Sequence, residues 1–555
     1  MVAAALANSA WFLSSAPAFA AFNLALQDPQ REQETILRRF LRANAQTAFG
    51  REHGFSDIRT PEQFSQRVPP RDYDDFRPWI DRIQRGEANV LTTQPVRRLI
   101  PTSGSTAARK LIPYTASMQR QLNRAIGPWI FDLYRRHPQA LLGPSYWSIS
   151  PLAEDTPAPA QASAVPIGFD DDAAYLGGWR EWAINAAMAV PSQLKTLGSI
   201  SLWRYLTLLL LLRRRDLTLI SIWHPSFLEL LLETLKDRWR ALVSDVSSGK
   251  CAIWPDLPEL LRRTAIASPD ARRADELQRA GTHRPATIWP NLRIISCWAG
   301  GHAAHSSASL AARFPGVLIQ PKGLLATEGV VSIPLGDLHP LAIRSHYLEF
   351  EDDTGRIHGA GELRQDHAYR VLLTTAGGLC RYRLHDLVRV NGRVGRTPSV
   401  RFVGKAALIS DRMGEKLSEG FVALVLAQLF ARHDLKPEFA LLAPDVEDGQ
   451  TRYTLYVRAT APAYFAAALD AALSENPHYA YCRQLGQLYP PRIFQLMGNP
   501  YAAYTLRLQQ LGQRLGDIKP ASLSNLSEWS SYFTGKCQPA TSTWPAESAL
   551  HPSAR

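Results

Sequence analysis

Four stretches of this chain hold side chains of the kinds that handle phosphate, a metal ion and vicinal hydroxyls. Residues 101–110 read PTSGSTAARK. Small residues let backbone N–H groups approach an anion, hydroxyls add donors, and Lys110 adds charge, which is the chemistry of a phosphate loop. The spacing is not that of a Walker A loop, and the competing reading is an ordinary Ser/Thr/Gly turn. Residues 322–334, KGLLATEGVVSIP, put Thr327 and Glu328 in a loop between apolar runs, with Lys322 upstream. One carboxylate beside a hydroxyl suits Mg²⁺, which keeps its waters and takes one or two protein carboxylates next to nucleotide phosphates. The alternative is a solvated loop charge. Residues 379–390, LCRYRLHDLVRV, place Asp386 inside a strand, where aspartate is depleted. It could accept hydrogen bonds from a ribose hydroxyl pair, or form a salt bridge with Arg383 or Arg389. Residues 414–421, GEKLSEGF, set Lys416 between Glu415 and Glu419, where an i,i+3 surface pair is the plain alternative.

The elements that must position these residues follow from pattern. Residues 28–90 read mostly helical, punctuated at RTPEQF and VPPRDYDDF. Residues 94–115 read as strand, loop and strand, and 116–136 as a helix. SYWSIS is a short strand, and EDTPAPAQASAVP is a Pro/Ala-rich loop. From 173 to 285 the pattern is largely helical, interrupted by the strand-like LTLISIW before His224. LRIISCW is an apolar run of strand length, followed by AGGHAAH and a helix. Residues 316–335 read strand, loop, strand. HYLEFED, AYRVLLTT and RYRLHDLVRV read as strands, the last two joined into a hairpin by the turn AGGL. The chain is therefore expected to be an α/β protein, with an added β region after the alternating part. A smaller α/β pattern restarts past a boundary near Gly404, with a helix over about 419–433, strands FALLAP and RYTLYVRA, and the helix PAYFAAALDAALSE. The tail after Cys537 is Pro/Ser/Ala-rich and expected to be disordered.

Composition narrows the class. The 46% hydrophobic and 20% charged content is globular, and 555 residues allow more than one domain. Lys plus Arg number 62 against 50 Asp plus Glu, a net +12 spread over scattered arginines. With no aromatic-rich basic patch, nucleic acid is not an expected partner, whereas a positive cleft for an anionic small molecule is. The five cysteines, Cys251, Cys297, Cys380, Cys482 and Cys537, are odd in number and form no C-x-x-C. That argues against a disulfide framework or zinc site and for a reducing, cytoplasmic setting. Residues 2–22 resemble a signal peptide but lack a positive n-region; a helix packed on the body is expected. Leu206–Leu212 is too short to span a bilayer, so no stable membrane insertion is expected; a peripheral contact by Leu206–Arg215 is the minor alternative.

These four stretches, in this order, resemble the adenylate-forming superfamily of acyl-activating enzymes. More closely, the chain resembles the auxin-responsive Gretchen Hagen family of acyl acid amido synthetases, in its bacterial branch. The likeness extends to the flanks TAFGREHGFSDIRTPEQFSQRVPPRDYDDFRPWIDRIQRGEANVL and AYRVLLTTAGGLCRYRLHDLVRV, and spans roughly residues 25–535. It implies the adenylate-forming fold, with a large ATP- and acyl-binding domain over 1–404 and a small mobile α/β domain over 405–537, before a tail at 538–555. Ser103, Gly104, Ser105 and Thr106 would form the ATP phosphate loop, with Lys110 at its end. Gly300 and Gly301 would turn against the adenine. Thr327 and Glu328 would sit at the α-phosphate and Mg²⁺, and Asp386 would bind the ribose. Lys416 lies just past the hinge and could reach the phosphates. Lys519, in LGDIKPAS, would stabilise charge building at the α-phosphate. Trp179, Trp203, Trp223 and His224 fall in the helical region 173–230 where an acyl pocket is expected, with plain core as the alternative for the tryptophans.

The chain departs from the family pattern in places. Ala107 replaces glycine in the phosphate loop, and Leu325 and Ala326 stand where an aromatic and a glycine are usual. His385 replaces the glycine before Asp386, Lys405 replaces arginine, and KPAS is a poor copy around Lys519. The implied reaction is ATP-dependent. A carboxylate attacks the α-phosphate of MgATP and expels pyrophosphate, and an amino acid amine then displaces AMP from the acyl-adenylate. The expected partners are thus a small carboxylic acid and an amino acid, acting on a monomer. Coenzyme A as acceptor is the alternative within the same chemistry, and a catalytically idle nucleotide- or acid-binding protein is the alternative of another class.

Overall fold

The computed structural model describes residues 2–102, 110–147, 163–168, 178–192, 194, 197, 199–223, 225–251, 269–299, 304–405, 409–447, 449–498, 500–510 and 521–538. The first compact unit comprises Met1–Thr102 and Lys110–Ala406, and the second contains Ala407–Arg555.

The first unit opens on the helix Val2–Ala25. It is long and apolar enough to cross a membrane. In the fold it packs along the helices Ala116–Arg136 and Gly178–Ala187, as the sequence suggested. Phe12 stacks on Phe131 at 4.7 Å. Asn8 is buried and donates to the carbonyls of Leu141 (3.2 Å) and Gly143 (2.9 Å), which fixes the helix in register on the body.

Strands β1 (Arg98–Thr102) and β2 (Lys110–Tyr114) form an antiparallel pair. A parallel sheet follows, of β3 (Ser145–Trp147), β4 (Leu219–Ser221), β5 (Ile294–Cys297) and β6 (Leu318–Pro321), in that spatial order. Its central strands are short apolar runs buried on both faces, as parallel strands covered by helices must be. Between β3 and β4 lies the helix Ile200–Arg213. Leu206 and Leu208–Leu212 are all buried in it, so these leucines are core and present no surface to a membrane. The second strand expected in GVLIQPKGLLATEGVVSIPL does not form; residues 325–341 make isolated bridges only.

The added β region is an antiparallel sheet of β7 (Tyr347–Glu351), β8 (Ile357–Gly359), β9 (Ala368–Thr374), β10 (Tyr382–Val394) and β11 (Thr397–Lys405), ordered β11-β10-β9-β7-β8. The β10 residues Tyr382, Leu384, Asp386, Val388 and Val390 are buried while their neighbours are less so, a period of two that marks a one-sided sheet.

The second unit holds the short pair β12 (Ile409–Ser410) and β13 (Leu417–Ser418). Its main sheet is β14 (Ala440–Glu447), β15 (Gln450–Val457), β16 (Tyr489–Leu496) and β17 (Gly535–Cys537). The pairing β15–β16 is parallel and the other two are antiparallel. The helices Glu419–Arg432 and Phe465–Leu473 share a core with this sheet through Val422, Leu429, Phe465 and Leu469.

Candidate active site

Ser103, Gly104, Ser105 and Thr106 lie outside the described residues, but both ends of their loop are fixed. Thr102 and Lys110 face each other in the β1–β2 ladder. The Leu111 amide donates to the Tyr73 hydroxyl at 2.7 Å, and Lys110 Nζ lies 5.7 Å from the centre of the Tyr73 ring. Immediately after β2, Thr115 caps the helix Ala116–Arg136 by accepting from the Met118 amide at 3.1 Å. Its hydroxyl donates to the Ala376 carbonyl, in the β9–β10 turn, at 3.2 Å. That turn needs glycine. A Cβ on Gly377 would lie 2.4 Å from the Pro113 carbonyl oxygen. Gly378, at φ +101°, would place one 2.5 Å from Leu91 Cβ.

Gln121 gathers these pieces. Its Oε1 accepts from the Ala376 amide at 2.8 Å and lies 3.0 Å from His346 Nδ1, and its carbonyl accepts from the Ser345 hydroxyl at 3.1 Å. Burial pushes His346 down to about 3, so its imidazole is neutral. The His346 ring in turn packs on Gly329, where a Cβ would come within 2.9 Å of it. Gly329 follows Glu328. The turn holding both is closed by reciprocal backbone bonds between Ala326 and Gly329 at 3.0 and 3.1 Å.

Glu328 is buried, and Tyr382 Oη donates to its Oε1 at 3.4 Å. Oε2 has no protein partner among the described residues. No group of three potential ligands surrounds it there. A single carboxylate with a free oxygen fits a cation completed by waters and ligand phosphates. Tyr382 begins β10, and Asp386 follows four residues later, also buried. Between them the ladder breaks. Arg383 faces Leu372, while Leu387 faces Arg370, so four steps on β10 oppose two on β9. Such a bulge re-aims side chains. Its left-handed residue is His385, at φ +60°, which explains why glycine is usual there. Histidine is among the residues that tolerate this region, and the contact of His385 Nε2 with Asp72 Oδ1 at 2.8 Å helps to hold it. Of the proposed salt-bridge partners, Arg383 reaches Asp72 (3.9 Å) and Glu351 (3.7 Å).

In the second unit Lys416 precedes β13 with φ +46°. Glu415 turns inward, accepting from the Arg412 amide (2.8 Å), the Met413 amide (2.6 Å) and the Tyr453 hydroxyl. Glu419 accepts from the Ser522 amide at 3.2 Å. Lys519 lies outside the described residues, as do Gly300, Gly301 and His224. The chain just past Lys519 is nonetheless tied to the start of the helix that follows Lys416. Of the expected acyl-pocket residues, Trp203 is core, packed 5.5 Å from Phe227. Trp179 is exposed, and Trp223 lies just past the end of β4.

Pattern reading missed Tyr382, Gln121 and His346. Tyr382 stood in plain view in the Asp386 stretch, but an aromatic in a strand signals only core. Gln121 and His346 are linked across 225 residues of sequence, a relation no local pattern carries.

Residues 18–319 match the GH3 family N-terminal domain, and residues 340–405 the GH3 family central domain. A probable indole-3-acetic acid-amido synthetase GH3.12 of Oryza sativa subsp. japonica is 25% identical over 455 residues, covering 72% of each chain. The indole-3-acetic acid-amido synthetase GH3.17 of Arabidopsis thaliana is 23% identical over 475 residues, covering 76% of this chain and 75% of its own. Among solved structures, the AtGH3.15 acyl acid amido synthetase in complex with 2,4-DB superposes with a TM-score of 0.64 at 18% identity, covering 91% of this chain and 94% of that one.

Proposed function

The chain belongs to the GH3 family, and we propose that it is an ATP-dependent ligase that joins a carboxylic acid to an amino acid through an acyl-adenylate. The observation that supports this best is that the buried Glu328, bonded by Tyr382 of the strand that carries Asp386, adjoins Gly329, on which His346 packs, and that His346, Gln121 and Ala376 lead back to Thr115, just past the strand that leaves the loop at Lys110.

A carboxylate is a poor electrophile because its leaving group would be oxide. Attack on the α-phosphate of ATP gives a mixed anhydride whose leaving group is AMP, which an amine displaces. In this reading Ser103–Thr106 and Lys110 hold the phosphates, Gly300 and Gly301 the adenine, and Asp386 the ribose. Thr327 and Glu328 lie at the α-phosphate, with Glu328 as the Mg²⁺ ligand; the ion supplies charge neutralisation for phosphoryl oxygens. Lys519 contributes positive charge as the carboxylate attacks, with Lys416 as a second cation. Catalysis is then mostly positioning and electrostatics. No disulfide joins the five cysteines, and a reducing, cytoplasmic setting is part of this reading.

The test is pyrophosphate release over a panel of carboxylic acids, with and without each amino acid. Release that depends on the acid, with an amide as the product, is expected. A thioester formed only with coenzyme A would move the protein to the acyl-CoA ligase reading, and no release with any acid would leave it a binding protein.

A further inference from the structure

Lys322 directly follows β6 at the C-terminal edge of the parallel sheet, the edge at which open α/β sheets take their ligands. Its side chain reaches across β5, and Nζ donates to Ser221 Oγ, at the end of β4, at 2.7 Å. Three indole rings surround the ammonium: Trp129 from the helix Ala116–Arg136 at 5.2 Å, Trp147 from the end of β3 at 5.7 Å, and Trp223 from just past β4 at 5.1 Å. The Trp129 ring is fixed by its Nε1, which donates to Gln320 Oε1 at 3.1 Å. Aromatic faces attract a cation but neutralise none of its charge. No carboxylate pairs with Lys322 among the described residues, and an ammonium has three donors, of which Ser221 takes one. A half-buried cation left so is expensive unless something else completes it.

We propose that Lys322 selects the acyl acid by pairing with a second anionic group at the end remote from the reacting carboxylate. This rests on the ligase reading above, and adds the substrate class: a dicarboxylate, or an acid with an equivalent second anion. Direction separates the two ends. The Glu328 carboxylate turns to Tyr382 of the antiparallel sheet, while Lys322 Nζ turns back over the parallel sheet to Ser221. The acid's body would span the two, against Trp129, Trp147 and Trp223. The remote position also keeps the amine away from the adenylate carbonyl, which would acylate it. Burial pushes Lys322 down to about 7, opposed by the Cys297 thiol of β5, which burial itself pushes up to about 11. Ser221 and the three tryptophans, on the other elements packed against Lys322, are uncharged, so an anionic partner would restore the ammonium.

The experiment measures pyrophosphate release with α,ω-dicarboxylates from succinate to suberate against monocarboxylates of equal length, and benzene-1,4-dicarboxylate against benzoate. The full-length protein should favour the dicarboxylate of at least one pair by about tenfold or more in kcat/KM. Parity in every pair overturns the proposal, whatever any variant does. Lys322→Met should erase the preference and Lys322→Arg should keep part of it; a preference unchanged in Lys322→Met overturns the proposal. Should that variant not fold, the wild-type pH profile decides. Both carboxylates stay ionised from pH 6 to 9, so the preference should fall as Lys322 deprotonates, and a flat profile overturns it. Quenching of tryptophan fluorescence by the same acids reports binding without turnover. Failure of the ligase reading, no pyrophosphate with any acid, is thus distinguishable from failure of the Lys322 assignment, no difference in quenching within any pair.

Discussion

Glu328 and Asp386 are both buried carboxylates reached through β10, yet their substitutions should act on different kinetic constants. Glu328→Gln keeps the shape and the Tyr382 contact but removes the charge. If Glu328 holds Mg²⁺, pyrophosphate exchange at limiting Mg²⁺ should fall by at least roughly tenfold and recover partly as Mg²⁺ is raised. Exchange unchanged at limiting Mg²⁺ would sink the metal role. Asp386→Ala removes an acceptor expected to bind ribose in ground and transition states alike. Hydrogen bonds to charged groups are worth about 1.5–3 kcal/mol, so the KM for ATP should rise roughly tenfold or more with kcat less affected. If KM holds and only the melting temperature drops, Asp386 is structural. At the neighbouring His385 the backbone sets the rule. A β-branched residue at φ +60° is strained by about 1–3 kcal/mol, so His385→Val should lower thermal stability clearly, while His385→Gly should change it little. Equal losses in the two variants would assign the effect to the Asp72 contact instead.

The β9–β10 hairpin is the element on which the site depends. Its turn lies against Pro113 and Leu91, close to the strand that leaves the phosphate loop, because Gly377 and Gly378 carry no side chain there. Gly378→Ala should destabilise the first unit by about 2–4 kcal/mol, from positive φ together with a clash, and should impair ATP use in the protein that still folds. A variant with wild-type melting and wild-type KM for ATP would show that the turn can move aside. This element was legible in sequence as two strand-like runs about a Gly-Gly turn. The bulge inside β10 was not. Nothing in RYRLHDL tells which residue leaves the ladder, since that is decided by pairing with β9 and by the fit of His385 against Asp72.

At the scale of the whole molecule, pH should act on the two units in opposite senses. In the first unit His346 is held neutral, with its pKa pushed down to about 3 by burial, against about 6.5 when unfolded. Between those values only the unfolded chain binds the proton, so stability is lost as pH falls below about 6.5. In the second unit burial, and then the Asp411 charge, push Glu415 up to about 7, against 4.5 unfolded. There the folded state holds the proton, so stability falls as pH rises from about 4.5 to 7. Each slope is at most about 1.4 kcal/mol per pH unit. Calorimetry of the full chain between pH 5 and 7 should show two transitions moving in opposite directions as pH changes, and parallel shifts would refute the assignment.

By itself the sequence determined the α/β class, the order of the chemistry-bearing stretches, the restart of pattern near Gly404 and the packed N-terminal helix. Each of these rests on local periodicity, or on residue types at short spacing, and both survive without knowledge of the fold. Only the tertiary structure decided that Gln121 faces His346, that Tyr382 donates to Glu328, and that Trp203 is core while Trp223 stands over Lys322. These are relations between residues tens to hundreds of positions apart. A lysine in KGLL looks solvated in sequence because its surroundings are supplied by β3, β4 and a distant helix, and a side chain's charge acquires a use only from what those elements bring around it.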